Sequence, residues 1–438
     1  MESSSRILIR KRCNRIVRCL SSIYVLTVLS YGVCTAQTSN FDISGHTKYR
    51  MTSTMFPNDG FFRSRIGSSG EDLGFDARLS ANLGADKWDL QVDAQFGAFY
   101  GDIIELSRDF DNELQILFPR LPSDDQRLFD LTKIITDDDK QATLGRLDRF
   151  SAGYTGDNGV LRFGRQAVTW GNGLVFNNVM DIFNPFDPTA IDKEYKSGDD
   201  MLYGQYLRNS GDDLQAVVVL HRGSLTRNVE ADQSSFAAKY HGFLGVGEYD
   251  FVVARHFGEN LVGLGGNYGI GGALWRGDLM VTFTDNEGSI VSAVTSLSHS
   301  FSWIGKNVSA VIEYYFNGFG QRGNRYSTID LTSNPNLLER LARGEIFNLG
   351  RHYIGLSTLI EITPLFLLTP NLFLNIEDDS ALVQIMTQTD LSESMLLLGA
   401  LNIPVGKSGT EYRGIDLGVS GSQLSTGPGI FVQFAWYF

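Results

Sequence analysis

The last ten residues of the chain, Gly429 to Phe438, alternate between two kinds of side chain. A period of two is that of a β-strand with one apolar face, and about ten tilted residues cross a bilayer. In a soluble protein, so apolar a terminal strand would expose an aggregation-prone edge, whereas a closed barrel in lipid has no edge. We therefore predict a lipid-facing closing strand; the alternative is the last core strand of a soluble β domain. The apolar positions are Ile430, Val432, Phe434, Trp436 and Phe438.

The composition agrees with a membrane barrel and disfavours several other classes. The 438 residues carry a net charge of −13, and the mean hydropathy is −0.09. Beyond the N-terminal region, no stretch approaches the roughly eighteen consecutive apolar residues of a transmembrane helix. Barrel strands need only one apolar face, so their average hydropathy is unremarkable. The acidic balance disfavours nucleic-acid binding, which requires a basic patch.

The N-terminal region has the pattern of a secretory signal peptide. A basic segment is followed by an apolar stretch that ends at Val33, and then by the small residue Ala36. This pattern predicts that residues 1–36 are removed and that residues 37–438 form the barrel. All three cysteines lie within residues 1–36. We therefore expect no disulfide, thiolate metal site or cysteine nucleophile in the barrel.

The clearest hairpin lies between residues 73 and 96. Apolar residues recur at every second position from Leu73 to Leu83 and again from Trp88 to Phe96. The alternation is apolar-out and polar-in, as in a membrane barrel. We predict an all-β, transmembrane antiparallel β-barrel of about eighteen strands, with sixteen as the alternative count. The predicted strands begin near Phe41, Leu73, Trp88, Ala142, Val160, Met201, Leu214, Ser235, Glu248, Leu261, Ala273, Ile290, Val308, Tyr353, Phe366, Ala381, Met395 and Ile430.

The lengths of the connections support the membrane barrel. Counted from the N-terminus, every long connection is odd-numbered, and every even-numbered one is a turn of a few residues. Membrane barrels show this asymmetry, with short periplasmic turns and long extracellular loops. A soluble β-sandwich gives no reason for it. The long connections are residues 52–70, 101–141, 170–199, 223–233, 318–350 and 405–428.

Two long connections contain helix signals. Residues 102–118 place apolar side chains near helical spacing, and Asn334-Pro335 is typical of the start of a helix, which here would end at Gly344. We expect short helices that pack over the extracellular mouth. Residues 137–139 are three consecutive aspartates, which we interpret as a solvated loop, with a calcium site as the alternative. No metal or cofactor is predicted.

Residues 161–200 are the most suggestive of a specific function. They read LRFGRQAVTWGNGLVFNNVMDIFNPFDPTAIDKEYKSGDD and combine charged residues with the rigid turns that Asx and X-Pro pairs form. We predict that a loop at about residues 170–199 folds into the lumen as a constriction. The alternative is an extracellular loop without a role in permeation.

This run resembles the alginate-export-like group of outer-membrane porins. The resemblance covers about forty residues and implies a single-chain barrel of around eighteen strands that conducts small anionic or saccharide solutes. It also implies that charged residues of the run line the passage. Arg162 and Arg165 differ in strand parity, so both can face inward only with a β-bulge near Gly164. The implied lining residues are Arg162, Arg165, Gln166, Asp181, Asp187, Asp192, Lys193, Glu194 and Lys196.

Strand alternation adds further charges to the predicted lumen. The basic ones are Arg78, Arg149 and Arg351, and the acidic ones are Asp76, Asp89, Asp93, Glu313 and Glu361. Mixed walls orient polar solutes and give a weak net charge preference. The sequence thus predicts a passive channel for small hydrophilic solutes in the outer membrane of a Gram-negative bacterium. Its expected partners are membrane lipid, lipopolysaccharide and, through the C-terminal strand, the barrel-assembly machinery.

Other classes of function are alternatives. A scaffold or surface-binding protein that acts through its extracellular loops would bind without conducting. An outer-membrane hydrolase is disfavoured because the 6 histidines are scattered singly, with no recognisable spacing to a serine, and no enzyme activity is predicted. A TonB-dependent receptor is disfavoured because no plug domain precedes the first strand. The sequence leaves both a monomer and a trimer open.

Overall fold

The computed structural model describes residues 39–107, 121–176, 178–285, 287–418 and 423–438. Within these residues the chain forms a closed antiparallel β-barrel of 18 strands, which confirms the predicted fold class. Each barrel strand pairs with the barrel strands that precede and follow it in the chain. The predicted signal peptide, residues 1–36, lies outside the described residues.

Each predicted strand is present and begins within a few residues of its expected start. The barrel strands are β1 (Ser39–Met55), β2 (Ser69–Ala85), β3 (Trp88–Gly101), β5 (Gln141–Thr155), β6 (Gly159–Gln166), β7 (Asp199–Leu207), β8 (Asp213–Val219), β9 (Ser235–Leu244), β10 (Gly247–His256), β11 (Glu259–Ile270), β12 (Ala273–Thr284), β13 (Gly288–Trp303), β14 (Lys306–Phe316), β15 (His352–Thr363), β16 (Phe366–Asn375), β17 (Ser380–Ser392), β18 (Met395–Val405) and β21 (Gly429–Tyr437). Short strands also lie in the loops: β4 (Thr132–Asp138) pairs with the first half of β5, and β19 (Ile415–Asp416) pairs with β20 (Gln423–Leu424).

Short helices occur in the long connections, as predicted. They are α1 (Phe61–Arg65), α2 (Asp102–Ser107), α3 (Thr328–Thr332), α4 (Pro335–Arg343) and a 3-10 turn at Glu411–Arg413. The Asn334 side chain caps α4 by accepting a hydrogen bond from the Leu337 N–H, and Gly344 ends it with a left-handed φ of 69°. Of the helix predicted at residues 102–118, the part beyond residue 107 lies outside the described residues. In the described parts of the chain, no helix is long and apolar enough to span a membrane.

The connections differ in length between the two ends of the barrel. At one end the strands are joined by turns of two to five residues, such as residues 304–305. The long connections all lie at the other end, as predicted. They include residues 167–198, called L3, residues 317–351, called L7, and residues 406–428, called L9. Some connections at this end are short as well, for example residues 257–258.

The last strand closes the barrel on the first. β21 pairs with β18 on one side and with β1 on the other. The β1–β21 register runs from His46 opposite Tyr437 to Thr54 opposite Gly429. Because the ladder is closed, no barrel strand has a free edge, as a wall in contact with lipid requires.

The outer surface of the barrel is apolar. In β10, Phe251 and Val253 are 44% and 41% exposed, whereas Val252 between them is 0% exposed. The exposed side chains therefore point outward, and the buried one points into the barrel. In β21 the outward positions are Ile430, Val432 and Trp436, which are exposed, and Phe434, which is half-buried; Phe438, directly after the strand, is exposed as well.

The strand β10 allows a direct test of this outer surface, because its ten residues lie between two-residue turns. Phe251 lies near its midpoint. If the surface faces lipid, Phe251→Arg should lower the free energy of unfolding by about 2–4 kcal/mol. Leu244→Arg, on the exposed rim, is the control and should cost about 0–1 kcal/mol. The measurement is urea unfolding in lipid vesicles, followed by tryptophan fluorescence. Equal costs at the two positions would contradict a lipid-facing surface.

Candidate functional site

The first half of L3 is held by carboxylates on the far wall of the barrel. On β12, Asp278 accepts hydrogen bonds from the backbone and side-chain nitrogens of Asn172, at 2.5 and 2.7 Å. On β14, Glu313 accepts from the backbone N–H groups of residues 174–176 at 2.7, 3.0 and 2.6 Å. Glu313 is 0% exposed, and its strand neighbour Ile312 is 50% exposed on the outer face. L3 therefore lies inside the barrel.

The wall strands have glycines where L3 packs against them. At Gly355 on β15, an added Cβ would lie 2.6 Å from Val175 Cγ1 and 2.8 Å from Phe176 Cε2. At Gly265 on β11, it would lie 2.9 Å from Met180 Sδ. These distances are shorter than van der Waals contact, so a side chain at either position would displace L3 from the wall.

Apolar side chains of L3 cover apolar side chains on the inner wall. Trp170, Met180 and Phe183 pack in one buried cluster with inward residues of β7 to β12. Val175 and Phe176 pack in a second cluster with Tyr315, Tyr353 and Phe373. These contacts explain why several inward positions near L3 are apolar rather than polar. The inward members of the first cluster are Met201, Val217, Val219, Ala237, Val252, Ala254, Leu261 and Met280.

The second half of L3 returns along the other side of the lumen. The Thr189 carbonyl accepts a hydrogen bond from Gln384 on β17 at 2.9 Å. The Tyr195 ring stacks on His46 of β1 with a centroid distance of 5.3 Å, and the Arg78 guanidinium of β2 lies 4.2 Å from the ring centroid. L3 thus contacts strands on several sides of the barrel.

The residues predicted to line the passage fall into two groups. Those that are buried are Arg78, Arg149, Arg165, Gln166, Asp181 and Lys196. Those with exposed or half-exposed side chains are Arg162, Asp187, Asp192, Lys193, Glu194 and Arg351. Only the second group can meet a solute without a rearrangement of L3.

Arg165 does not line the passage, contrary to the prediction. It is 1% exposed, and its guanidinium donates to Asp200 and Asp124 at 2.9–3.0 Å and to the Phe129 carbonyl at 2.8 Å. Gly164 has a φ of 121°, but the β5–β6 register continues through it without the expected bulge. Because the donors of Arg165 are occupied, it stabilises the wall and offers no free charge to a solute.

The bulge occurs instead on β5. The β3–β5 register shifts between Asp93 and Ala94, which leaves Asp148 as the extra residue. Its carboxylate pairs with Arg78 at 2.9 Å and with Arg149 at 2.7 Å. Asp93 also accepts from Arg78, at 2.7 Å. Sequence alternation did not identify Asp148, because a bulge changes the strand face on which a residue lies.

Asp181 and Lys196 join the two halves of L3. The Lys196 ammonium lies 2.5 Å from an Asp181 oxygen and also donates to the Val168 carbonyl at 2.6 Å. Burial raises the pKa of the Asp181 carboxyl to about 6, although the Lys196 charge acts in the opposite direction. Both residues were predicted to line the passage. Their burial indicates that they fix the shape of L3 instead.

A serine, a histidine and a carboxylate lie in a row at the barrel mouth. Ser235 contacts His256 Nδ1 at 2.7 Å, and His256 Nε2 contacts Glu345, at the end of α4, at 3.2 Å. Ser235 is buried, and Arg340 and Arg343 also lie near Glu345. The row thus fastens L7 to β10. The sequence spacing of the serine, the histidine and the glutamate did not predict these contacts. In the described residues, no cluster of three or more His, Cys, Asp or Glu is suited to a metal ion.

Comparison with known proteins supports the fold. No protein-family model matches the chain, and no curated protein matches its sequence. OccAB2 of Acinetobacter baumannii has a similar structure, with a TM-score of 0.51 and 10% identity over 91% of this chain and 98% of that chain. Wzi of Escherichia coli, a carbohydrate-binding outer-membrane β-barrel, gives 0.49 and 10%, covering 90% and 84%. An anion-selective porin from Comamonas acidovorans gives 0.43 and 12%, covering 91% and 100%.

The anchoring of L3 predicts a pattern of amide protection. In Glu313→Ala, the amides of residues 174–176 lose their shared acceptor, so they should exchange with deuterium faster than in the wild type. In Asp278→Ala, the amides of Asn172 and Gly173, rather than those of residues 174–176, should gain exchange. Hydrogen–deuterium exchange of the detergent-solubilised protein measures both. Unchanged exchange at residues 174–176 in Glu313→Ala would show that Glu313 does not hold L3.

Proposed function

We propose that the protein is a passive outer-membrane channel for small hydrophilic solutes and that L3 is its constriction. The observation that carries this proposal is the position of L3 inside the barrel, with contacts to β12, β14 and β17. A loop that crosses the lumen narrows it, and a narrowed lumen limits the size of the solutes that pass. Residues 1–36 are proposed to be the signal peptide that directs export.

The passage is proposed to run beside the exposed residues of L3. Leu174, Lys193, Glu194 and Tyr195 are the most exposed large side chains on the loop. They combine an apolar surface, a cation, an anion and a phenol. A passage of this composition favours polar solutes that also have an apolar face, such as saccharides.

Most charges near L3 are neutralised by partners. Arg78, Arg149 and Lys196 each have a buried carboxylate within 3 Å. Lys193 is different, because its ammonium donates to the Pro188 carbonyl at 2.6 Å and has no carboxylate within ion-pair distance among the described residues. Lys193 is therefore proposed to dominate the weak charge preference of the constriction, in favour of anions.

The proposed chemical class of the solute rests on the sequence resemblance. Residues 161–200 resemble alginate-export-like barrels, which supports membership of that group and the choice of anionic or saccharide solutes. The apolar outer surface, including β21, is proposed to contact membrane lipid and lipopolysaccharide. The C-terminal strand is proposed to be the segment that the barrel-assembly machinery recognises.

Reversal potentials test the proposed role of Lys193. In a planar bilayer with a KCl gradient, Lys193→Glu should shift the potential toward cation selectivity. A unit charge about 4 Å from an ion is worth about 1 kcal/mol in water, so the change of two unit charges is worth about 2 kcal/mol, or roughly a thirtyfold change in ion permeability before screening by salt. Arg162→Ala, which removes a half-exposed cation 3.6 Å from Asp89, should produce a smaller shift in the same direction.

Lys87→Glu is the matched control, because it reverses a charge at a short turn, far from L3. Salt screens exposed charges beyond about 10 Å at 0.1 M, so the control should keep the wild-type potential. Purified protein that never conducts would contradict the channel itself, and would favour a scaffold that acts through the extracellular loops. A conducting Lys193→Glu variant with an unchanged potential would contradict the role of L3.

A further inference from the structure

Two carboxylates near the end of L3 each contact the first and the last strand of the barrel. An Asp192 oxygen accepts hydrogen bonds from Lys48 on β1 at 2.7 Å and from Gln433 on β21 at 2.9 Å. A Glu194 oxygen accepts from the same Lys48 ammonium at 2.6 Å and from the Tyr437 hydroxyl on β21 at 2.8 Å. One loop thus connects β1 to β21 twice across their junction, which we call the seam.

The seam differs from every other strand junction of the barrel. All other neighbouring barrel strands are consecutive in the chain and are joined by a turn or a loop. β1 and β21 come from opposite ends of the sequence, so their pairing closes the longest possible chain loop. Closing so long a loop costs more conformational entropy than forming a hairpin. Side-chain contacts across the seam therefore help to offset this cost of closure.

The bridging group is an ion cluster in which the Lys48 ammonium is buried and the Asp192 and Glu194 carboxylates are partly exposed. Lys48 is 5% exposed, and the Tyr195 ring lies 5.5 Å from its ammonium. Burial alone would raise the pKa of the Asp192 and Glu194 carboxyls, but the hydrogen bonds and charge of Lys48, together with the bonds from Gln433 and Tyr437, outweigh it and lower both pKa values. Charge-assisted hydrogen bonds in a buried setting are strong, and a buried ammonium left without them is costly.

We propose that the L3 carboxylates Asp192 and Glu194, through Lys48, Gln433 and Tyr437, hold the β1–β21 seam of the barrel closed. L3 therefore has a second task beyond narrowing the lumen. The position of the loop and the closure of the barrel depend on the same contacts, so a displacement of L3 from the wall weakens the seam. This role does not depend on which solute, if any, the barrel conducts.

The test measures the temperature at which the SDS-resistant, closed barrel converts to the unfolded band on a gel. The double variant Asp192→Asn/Glu194→Gln should convert at a temperature about 5 °C or more below the wild type. Glu313→Gln, which weakens L3 at β14 instead, is the matched control and should lower the temperature less. A double variant that loses no more than this control would overturn the proposal.

Introduced disulfides test whether the double variant is destabilised at the seam. The residues from 37 onward contain no native cysteine, so introduced pairs are unambiguous. Met51 and Val432 face each other across the seam on the outer surface, and Leu279 and Ala293 do so across β12–β13. In the double variant, the disulfide formed by Met51→Cys and Val432→Cys should restore the wild-type temperature, and the one formed by Leu279→Cys and Ala293→Cys should not. Equal rescue by both, or by neither, would overturn the proposal.

A triple variant separates loss of the bridge from the effect of an unpaired charge. Adding Lys48→Met to the double variant removes the unpaired ammonium, and a conversion temperature that stays low supports loss of the bridge as the cause. A return to the wild-type temperature would show that only the unpaired charge mattered, and would overturn the proposal. If the double variant yields no folded barrel, its recovery by the seam disulfide alone supports the proposal, and no recovery contradicts it.

Discussion

A loop that lies inside a barrel must find partners there for its backbone amides, because an unpaired buried N–H is costly. The rest of this structure depends on how the wall meets that requirement. Glu313 accepts three consecutive amides, and Asp278 accepts the Asn172 amide. A glycine at position 355 leaves room for the loop that these carboxylates hold. The inner wall thus carries the side chains that bind the protein's own loop, L3, whether or not a solute is present.

The ion pairs of the wall strands and L3 determine which charged side chains remain available to a solute. The inward arginines of β2 and β5 resemble a basic lining when read from the sequence, but Asp93 and Asp148 neutralise them in the folded wall. On L3, Lys193 is exposed and has no carboxylate within ion-pair distance among the described residues, whereas the exposed Glu194 is paired with Lys48. We propose that a few loop residues set the selectivity of the channel, while the more numerous buried ions fix the position of that loop. Counting charges on strand faces therefore overestimates the charge that a solute meets.

The sequence predicted the barrel well because its signals are local. Alternation from Leu73 to Phe96 and the placement of all long connections at odd positions were sufficient for the strand count and the end asymmetry. The partners of L3 could not be predicted, since Lys48 and Asp192 are 144 residues apart and no local pattern links them. The bulge at Asp148 and the short strand β4 were missed for the related reason that they depend on neighbouring segments. Arg165 followed the motif but was assigned the wrong role, because its carboxylate partner Asp124 lies in a different connection.

L3 is proposed to occupy the lumen and to limit the passage. The most direct measurement is the single-channel conductance of a variant in which residues 173–194 are replaced by a short Gly-Ser linker, compared with that of the wild type under the same salt conditions. The seam disulfide at positions 51 and 432 is present in both proteins to keep the barrels closed. We expect a several-fold larger conductance in the variant, because the remaining lumen is bounded by the strand wall alone. An equal or smaller conductance, from a barrel that is folded and inserted, would contradict the claim.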